Sequence, residues 1–369
     1  MPIMRFSSHV NSVFAENDVT YDIVKNLMFD LARGHEIYDD ESGRVVSRAE
    51  AEGKLRDISL KIFGLTSDAT PRDRSRAMRD HGREFFDVIE EVIDDLIAEG
   101  FRNSEWFNEL VDYRNIAMGD SLRFISEDNS ILIVGKVGNS HHDIILQTLG
   151  EGEPYNVPTA RYAVAVGADI DRYLLGQIDW AKLVSKVAEA FEVHIQELTY
   201  SAIEDGITAL PAAFKNSGTL TKAGFDAIRD NVAAASNSDN IIIMGTRAAL
   251  RNLAGIVDVN YIASSQKESV ASSGLIGYYD GDLLVRFPQR FKDKTLTAKV
   301  FNDKYIFVLP AGADGKLVNV VDEGETEINE VVDKGEVNGR IDDIKKYEAQ
   351  RTYGVALKIS RHFGAWTLP

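Results

Sequence analysis

The feature that most constrains the fold is a long amphipathic segment between Asp179 and Asp205. Its apolar residues recur at spacings of four and three, which places them on one face of an α-helix. That face comprises Trp180, Val184, Val187, Phe191, Ile195, Leu198 and Ala202. Polar or charged residues fill the other positions, namely Lys182, Lys186, Glu189, Glu192 and Gln196. About 27 residues at ~1.5 Å each make a rod of roughly 40 Å. We expect neighbouring subunits to cover the apolar face of such a rod.

The first hundred residues are predicted to be helical and strongly charged. Three segments repeat apolar residues at three-to-four spacing: YDIVKNLMFDLA, SRAEAEGKLRDISLKIFG and REFFDVIEEVIDDLIAEG. In the third segment the apolar stripe consists of Phe85, Val88, Ile89, Val92, Ile93 and Leu96. The opposite positions hold Glu90, Glu91, Asp94 and Asp95. We interpret this acidic row as a solvated helix face rather than a metal site.

From Asp120 the apolar period changes to two, which predicts a long antiparallel hairpin over residues 120–168. The stretch GEGEPYNVP, Gly150 to Pro158, holds two glycines and two prolines and is expected to interrupt regular structure. The isoleucines of the hairpin exceed what an isolated two-stranded ribbon can bury, so an adjacent subunit is expected to cover them. The candidate intersubunit residues are Ile131, Ile133, Lys136, His141, His142, Ile144 and Ile145. Adjacent histidines on a strand point to opposite faces, which favours an exposed tip over a metal site.

A compact α/β segment follows the long helix. TKAGFDAIRDNVAAA predicts a helix, NIIIM a buried strand, and GTRAALRNLAGI a second helix that begins at Thr246 and ends near Gly255. SGLIGYYDGDLLVRFP and KYIFVLP predict further strands. The order of strand, glycine and helix in IIIMGTRAAL can bind an anion. Because the segment has one glycine and no further anion-binding residues, we interpret it as an ordinary strand-to-helix turn.

The chain closes with QRTYGVALKISRHFGAW, which alternates as a strand does. Tyr353, Val355, Leu357 and Ile359 share one face of that strand, which is expected to pack inward. Arg361, Phe363 and Trp366 follow as interface candidates, because aromatic and arginine side chains are enriched at protein interfaces. The alternative is that Phe363 and Trp366 close the local core.

Composition and motifs exclude several functions. The chain has 369 residues with 41 basic and 58 acidic side chains, and a net charge of -17 argues against a surface that neutralises nucleic-acid phosphates. There is no cysteine, so disulfides and thiolate metal sites are ruled out. We expect neither an apolar signal segment nor a membrane span. Nucleophile elbows, phosphate-binding loops, zinc motifs and calcium loops are lacking, so we expect no enzyme, cofactor or metal.

The order of these elements resembles the major capsid proteins of tailed bacteriophages. The resemblance is most specific in the tail YEAQRTYGVALKISRHFGAW and in GYYDGDLLVRFPQRF followed by KYIFVLPAG. It implies an α+β, Hong Kong ninety-seven-like fold. On that basis residues 1–119 form a helical N-terminal extension and N-arm, and residues 120–168 the extended hairpin loop. Residues 169–221 and 321–369 form the peripheral domain with the spine helix, and residues 222–320 the axial domain.

The resemblance also implies a function. The chain would assemble with itself as hexamers and pentamers into an icosahedral shell that encloses double-stranded DNA without sequence-specific binding. Scaffolding, portal and decoration proteins are the further partners it implies, and the location is the virion capsid, assembled in the host cytoplasm. Residues 1–100 depart from the family and are expected to be a retained extension. Some relatives cross-link a lysine to an asparagine, but ordinary solvated side chains are favoured here for the matching residues, which are Lys136, Asn329, Asn338, Glu330 and Glu336.

Two alternatives remain open from the sequence. An encapsulin-type nanocompartment shares the fold but encloses cargo enzymes. A soluble α/β enzyme that uses the IIIMGTRAAL turn is the alternative from another class. A shell would form a megadalton particle, whereas an enzyme would form a small oligomer.

Overall fold

The structure is a computed structural model that describes residues 21–38, 44–66, 68–120, 122–126, 153–167, 173–176, 179–236, 238–256, 277–311, 316–331, 346–358 and 363–369. The chain divides into two compact units. The first unit comprises Met1–Asn103, Ala160–His194 and Glu323–Tyr353. The second comprises Ser104–Thr159, Ile195–Asp322 and Gly354–Pro369. Both units mix helices and strands, which confirms the predicted α+β class.

Three helices of the first unit lie where the sequence predicts them: α1 is Tyr21–Arg33, α2 is Arg48–Ile62 and α3 is Pro71–Arg102. Ser47 caps α2, since its side-chain oxygen accepts a hydrogen bond from the Glu50 amide. Thr70 and Asp73 form a reciprocal capping box that starts α3. Between α1 and α2, the short strands β1 (Ile37–Tyr38) and β2 (Val45–Val46) pair antiparallel. The whole apolar stripe of α3 is buried, as predicted.

The strands of the first unit pair across a long sequence separation. Strand β6 (Ala160–Gly167) pairs antiparallel with β13 (Lys346–Leu357), with Ala160 opposite Tyr353. The sequence correctly predicts β6 as a strand but places it in the hairpin loop, which is wrong. Period-two alternation marks a strand without identifying its partner. The Tyr353 hydroxyl lies 2.6 Å from Nδ1 of His194, and its ring stacks on Tyr162 at 4.5 Å.

Helix α5 spans Trp180–Ala209, thirty residues, and extends slightly beyond the predicted end. Strand β12 is Val318–Val331, and the four-stranded sheet that holds it has the order β3-β12-β13-β6, where β3 is Val111–Ile116. Helix α5, β12 and β13 each contribute residues to both units. The chain therefore passes between the units several times, and neither unit is one continuous stretch of sequence.

The second unit holds a six-stranded sheet of order β7-β14-β11-β8-β10-β9. Its strands are β7 (Lys215–Ser217), β8 (Ile241–Thr246), β9 (Tyr278–Tyr279), β10 (Asp282–Phe287), β11 (Tyr305–Pro310) and β14 (Gly364–Thr367). Strand β10 runs parallel to β8, and β11 antiparallel. Helices α6 (Lys222–Ser236) and α7 (Arg247–Ala254) share a hydrophobic core with the sheet. Every residue of β8 is buried, as predicted for a central strand.

The remaining elements of the second unit are α4 (Glu105–Leu110), β4 (Arg123–Ser126), β5 (Glu153–Asn156) and a short 3-10 helix, Ala212–Phe214. Strand β5 pairs antiparallel with β4, with Tyr155 opposite Phe124. The prediction that residues 150–158 lack regular structure is therefore wrong at β5. Among the described residues this sheet has only two strands, so both are edge strands, where proline is tolerated.

Candidate functional site

The acidic row of α3 holds the N-terminal helices to the strands of the first unit. One oxygen of Asp94, Oδ1, accepts hydrogen bonds from Nη1 of Arg351 and from the Thr326 hydroxyl, the latter at 2.5 Å. The same Arg351 nitrogen donates to the Thr326 hydroxyl at 2.8 Å. Arg351 is only 3% exposed, so this is a buried ion pair. The interpretation of Asp94 as part of a solvated face is wrong.

The other three carboxylates of the row are also engaged. Glu90 Oε1 accepts a hydrogen bond from the Ile328 amide of β12 at 2.5 Å. Lys25 of α1 lies 3.1 Å from Glu91 and 2.8 Å from Asp95. Helix α3 is therefore bound by charge to α1 on one side and to β12 and β13 on the other. The sequence prediction fails because a charge pattern on one helix cannot reveal partners in distant segments.

Breaking the buried pair provides a test of this anchor. We expect Arg351→Met to lower the free energy of unfolding by about 2 kcal/mol, because Asp94 then keeps its charge but loses its ion pair with Arg351. The partial exposure of Asp94 keeps the expected loss below that of a fully buried pair. Urea denaturation followed by circular dichroism would measure it. The matched control is Arg161→Met, whose ion pair with Glu327 is half exposed and is expected to contribute less than about 1 kcal/mol. Equal losses in the two variants would contradict the buried anchor.

Glu90 makes the first unit sensitive to pH. Burial, followed by the like charges of Asp87, Asp94 and Glu327, raises its pKa from 4.5 to about 7, against the opposing effect of the Ile328 amide. A carboxyl whose pKa is higher in the folded chain is stabilised by protonation. Its contribution is therefore fully present below pH 4.5 and is lost as the pH rises to about 7.

We expect Glu90→Gln to match the unaltered chain in stability near pH 4 and to exceed it by about 1 kcal/mol at pH 8, a value reduced for the side chain's contact with solvent. The glutamine oxygen can still accept the hydrogen bond from Ile328. Urea denaturation at the two pH values would measure the difference. Glu91→Gln is the matched control, since it loses an ion pair with Lys25 and is expected to bring no gain at pH 8. A gain from Glu90→Gln that did not change with pH would contradict the assignment.

The apolar face of α5 is largely covered by the chain itself. Trp180, Val184, Val187, Phe191 and Ile195 are buried, and Leu198 is half-buried. In the first unit, the ring of Trp180 lies 5.5 Å from Tyr173. Glu192 and Gln196, which the sequence places on the polar side, are buried as well. The expectation that neighbouring subunits must cover this face is therefore wrong, because more than one face of the helix packs inside the chain.

The aromatic C-terminus belongs to the core of the second unit. Phe363 and Trp366 are buried, and the Trp366 indole N–H donates to the Gly218 carbonyl at 2.9 Å. The alternative that these rings close the local core is the one the structure shows, and the interface prediction is wrong for both. Strand β14 lies inside the six-stranded sheet, which is why its side chains pack there. Arg361 lies outside the described residues.

The hairpin candidates Ile131, Ile133, Lys136, His141, His142, Ile144 and Ile145 also lie outside the described residues. The two strands that flank this segment, β4 and β5, are described and pair with each other. Their Phe124 and Tyr155 rings stack at 5.7 Å. Ile125 on β4 is exposed, so apolar surface reaches solvent on this pair of strands.

The Thr246 side chain caps the N-terminus of α7 at the strand-to-helix turn. The Thr246 hydroxyl accepts a hydrogen bond from the Ala249 amide at 3.3 Å, and Thr246 is fully buried. Such a capped start matches the ordinary turn that the sequence favours. Among the residues that the structure describes, no three His, Asp or Glu side chains come together as metal ligands. Within the same ranges, no helix combines the length and apolar character needed to cross a bilayer.

Solved structures similar to this chain are distant from it. A Microbacterium phage Oxtober96 structure is 12% identical, with 72% of this chain and 91% of that chain covered and a TM-score of 0.46. The acid-stable capsid of Helicobacter pylori bacteriophage KHP30 is 11% identical, with 72% and 91% covered and a TM-score of 0.45. The holo-SrpI encapsulin complex of Synechococcus elongatus is 12% identical, with 71% and 86% covered and a TM-score of 0.39. A search of curated proteins gives no match.

The sequence itself matches a family over nearly its whole length. The family model described as "SPbeta prophage-derived putative capsid protein YonB" covers residues 24–367. This match includes helices α2 and α3, the strands of both units and the C-terminal strand. It confirms the resemblance to capsid proteins. The chain therefore belongs to the YonB family.

Proposed function

We propose that this chain is the major capsid protein of a tailed phage or prophage and builds its shell by self-assembly. The family match over residues 24–367 is the observation that supports this most strongly. The subunits would assemble as hexamers and pentamers around double-stranded DNA. The acidic chain, at a net charge of -17, fits a container whose wall repels the duplex rather than binding it.

The first hundred residues are proposed to be a permanent part of the shell subunit. Helix α3 contributes its buried stripe to the core of the first unit, and Asp94 pairs with the buried Arg351 of β13. Removing these helices would expose apolar residues of the first unit and break the ion pair between Asp94 and Arg351. A segment that holds such contacts is a poor candidate for removal after assembly. Scaffolding, portal and decoration proteins would therefore be separate chains.

What the particle encloses distinguishes a phage capsid from an encapsulin-type compartment. Particles isolated from the producing cell are expected to retain DNA that resists nuclease until the shell is disrupted. Treatment with nuclease before and after heating, followed by gel analysis, would measure this. Particles that hold a single enzyme and no protected DNA would overturn the phage assignment and favour the compartment. A small soluble oligomer would overturn both.

A further inference from the structure

A short exposed hairpin of the second unit presents apolar side chains to solvent. It lies between β10 and β11, and Phe291 and Lys299 pair across it; we call residues 291–299 the apolar tip. All nine of its residues are exposed. Leu296 is 64% exposed and Phe291 47%. Leu296 has the largest exposed fraction among the large apolar side chains that the structure describes.

Hydrogen bonds hold the apolar tip in a defined conformation. The Lys292 amide donates to the Ala298 carbonyl at 2.9 Å, and the Thr295 amide to Oδ1 of Asp293 at 2.9 Å. Leu296 has a φ of 55°, a left-handed conformation that a leucine rarely adopts. The turn therefore projects Leu296 outward at a cost in strain. A side chain that is already ordered loses little entropy when it binds a partner.

The apolar tip is basic, although the chain is acidic. The apolar tip carries Lys292, Lys294 and Lys299 against Asp293, a net charge of +2, and the wider stretch 290–304 has a net charge of +3. Lys292 pairs with Glu197 and Lys299 with Asp303. Lys294, beside Leu296, forms no ion pair with any described residue. The tip is thus suited to an acidic surface that also offers apolar contact.

The same unit carries an acidic surface at the other end of β10. The acidic edge, as we call it, surrounds the turn between β9 and β10 and consists of Tyr278, Asp280, Asp282, Asp226 and Asp230. Asp230 and Asp280 are exposed, as is half of Tyr278. Arg229 lies 3.6 Å from Asp280 and from Asp282 and 3.8 Å from Asp230, so one cation faces three carboxylates. Strand β9 is the last strand of its sheet among the described residues, and no described strand pairs with its outer side.

The two surfaces cannot meet within one subunit. The acidic edge lies at the start of β10, whose first residue is Asp282, and the apolar tip follows its last residue, Phe287. Six residues of strand at ~3.3 Å each hold the two surfaces about 20 Å apart. Two different but complementary surfaces on one molecule form a head-to-tail contact between copies, and repetition of that contact closes a ring when the rotation allows it.

We propose that the apolar tip of one copy docks on the acidic edge of the next copy, so that Lys294 faces Asp230 and Asp280 and Leu296 packs near Tyr278. This inference rests on the proposed shell function and names a contact within its rings of subunits. The contact is formed by two surfaces that are already ordered in the single chain. Burial of apolar side chains would supply most of the binding free energy, and the charge pairs would fix the orientation of the two copies.

Charge exchange tests the contact. Lys294→Glu and Asp230→Lys are each expected to raise the protein concentration needed for half assembly by about tenfold, because each places like charges face to face. The double variant, with both changes, is expected to recover assembly to within about threefold of the unaltered chain. Sedimentation through a sucrose gradient would give the assembled fraction. Lys54→Glu, an equal charge change at an exposed position of α2, is the matched control and is expected to have no effect.

The Leu296→Gly variant tests the contribution of this side chain to assembly independently of its effect on folding stability. Glycine adopts positive φ readily, so the folded chain is expected to keep or gain thermal stability. Assembly is nevertheless expected to weaken by about tenfold, because the projecting apolar side chain is lost. Circular dichroism melts and sedimentation of the same sample would show both effects.

Three outcomes would overturn the docking proposal. One is normal assembly of Lys294→Glu, Asp230→Lys and Leu296→Gly. Another is a double variant that assembles no better than the single variants, which would show that the two surfaces do not face each other. The third is a Lys294→Glu shell that forms normally but retains less DNA, which would place the tip against the genome. In each case the unaltered chain still forms shells, so the proposed function would stand. Failure of the unaltered chain to form shells would overturn that function instead.

Discussion

Replacing Gly354 with alanine is expected to destabilise the folded chain by about 4 kcal/mol, the largest loss of stability expected for a single substitution here. A Cβ on residue 354 would lie 2.1 Å from the carbonyl oxygen of Pro158 and 3.1 Å from Cα of Thr159. These are backbone atoms, so no side chain can rotate to make room. Strand β13 or the segment before β6 would have to move, which would disturb the sheet pairing that begins at Ala160 and Tyr353.

Thermal and urea denaturation of the Gly354→Ala variant would measure this loss. The matched control is Gly53→Ala in helix α2, where nothing lies within 4 Å of the added Cβ. That variant is expected to gain up to about 1 kcal/mol, because alanine favours the helix. If Gly354→Ala were as stable as the unaltered chain, the close approach of the two backbones would be wrong.

Loss of the hairpin loop is expected to abolish assembly. Replacing residues 127–146 with a short Gly-Ser linker removes the apolar candidates Ile131, Ile133, Ile144 and Ile145. Ser126 of β4 pairs with Glu153 of β5, so a short linker followed by the retained residues 147–152 can connect the two strands. The six-stranded sheet of the second unit takes no strand from the deleted segment and should stay folded.

Sedimentation and circular dichroism would measure the two effects separately. The expected result is a folded chain with native-like ellipticity that remains unassembled at concentrations where the unaltered chain forms particles. A linker of equal length in place of residues 127–146 is the control for loop length, and it should fail in the same way. Closed shells of normal size from either variant would show that the hairpin is no intersubunit clamp.

Local pattern was sufficient to predict most helices and strands. The stripe of α3, the long α5 and the buried strand β8 each follow from a period of apolar residues within one segment. The same reasoning failed where the partner lies far away in sequence. Arg351 meets Asp94 across 257 positions, and nothing near either residue indicates the pairing. Trp366 was ambiguous for the same reason, because its burial depends on its place inside the six-stranded sheet.

Two local departures in the sequence mark features of the structure. A glycine inside an otherwise alternating strand, as in Tyr353-Gly354-Val355, indicates a close backbone approach, and the structure shows one at Pro158. A basic stretch in an acidic chain, residues 290–304, similarly marks a surface with its own electrostatic character. Both features depart from the pattern of the residues around them. Positions that break a local sequence rule are often functional or strained sites.

The mass of the particle formed by the purified chain tests the central claim most directly. Sedimentation velocity of the unaltered full chain, paired with electron microscopy of the same sample, would give mass and shape together. We predict closed, uniform shells in the megadalton range that persist without nucleotide or metal. A species of monomer to small-oligomer mass at every concentration, with no shells in the images, would contradict the claim that this chain builds a capsid.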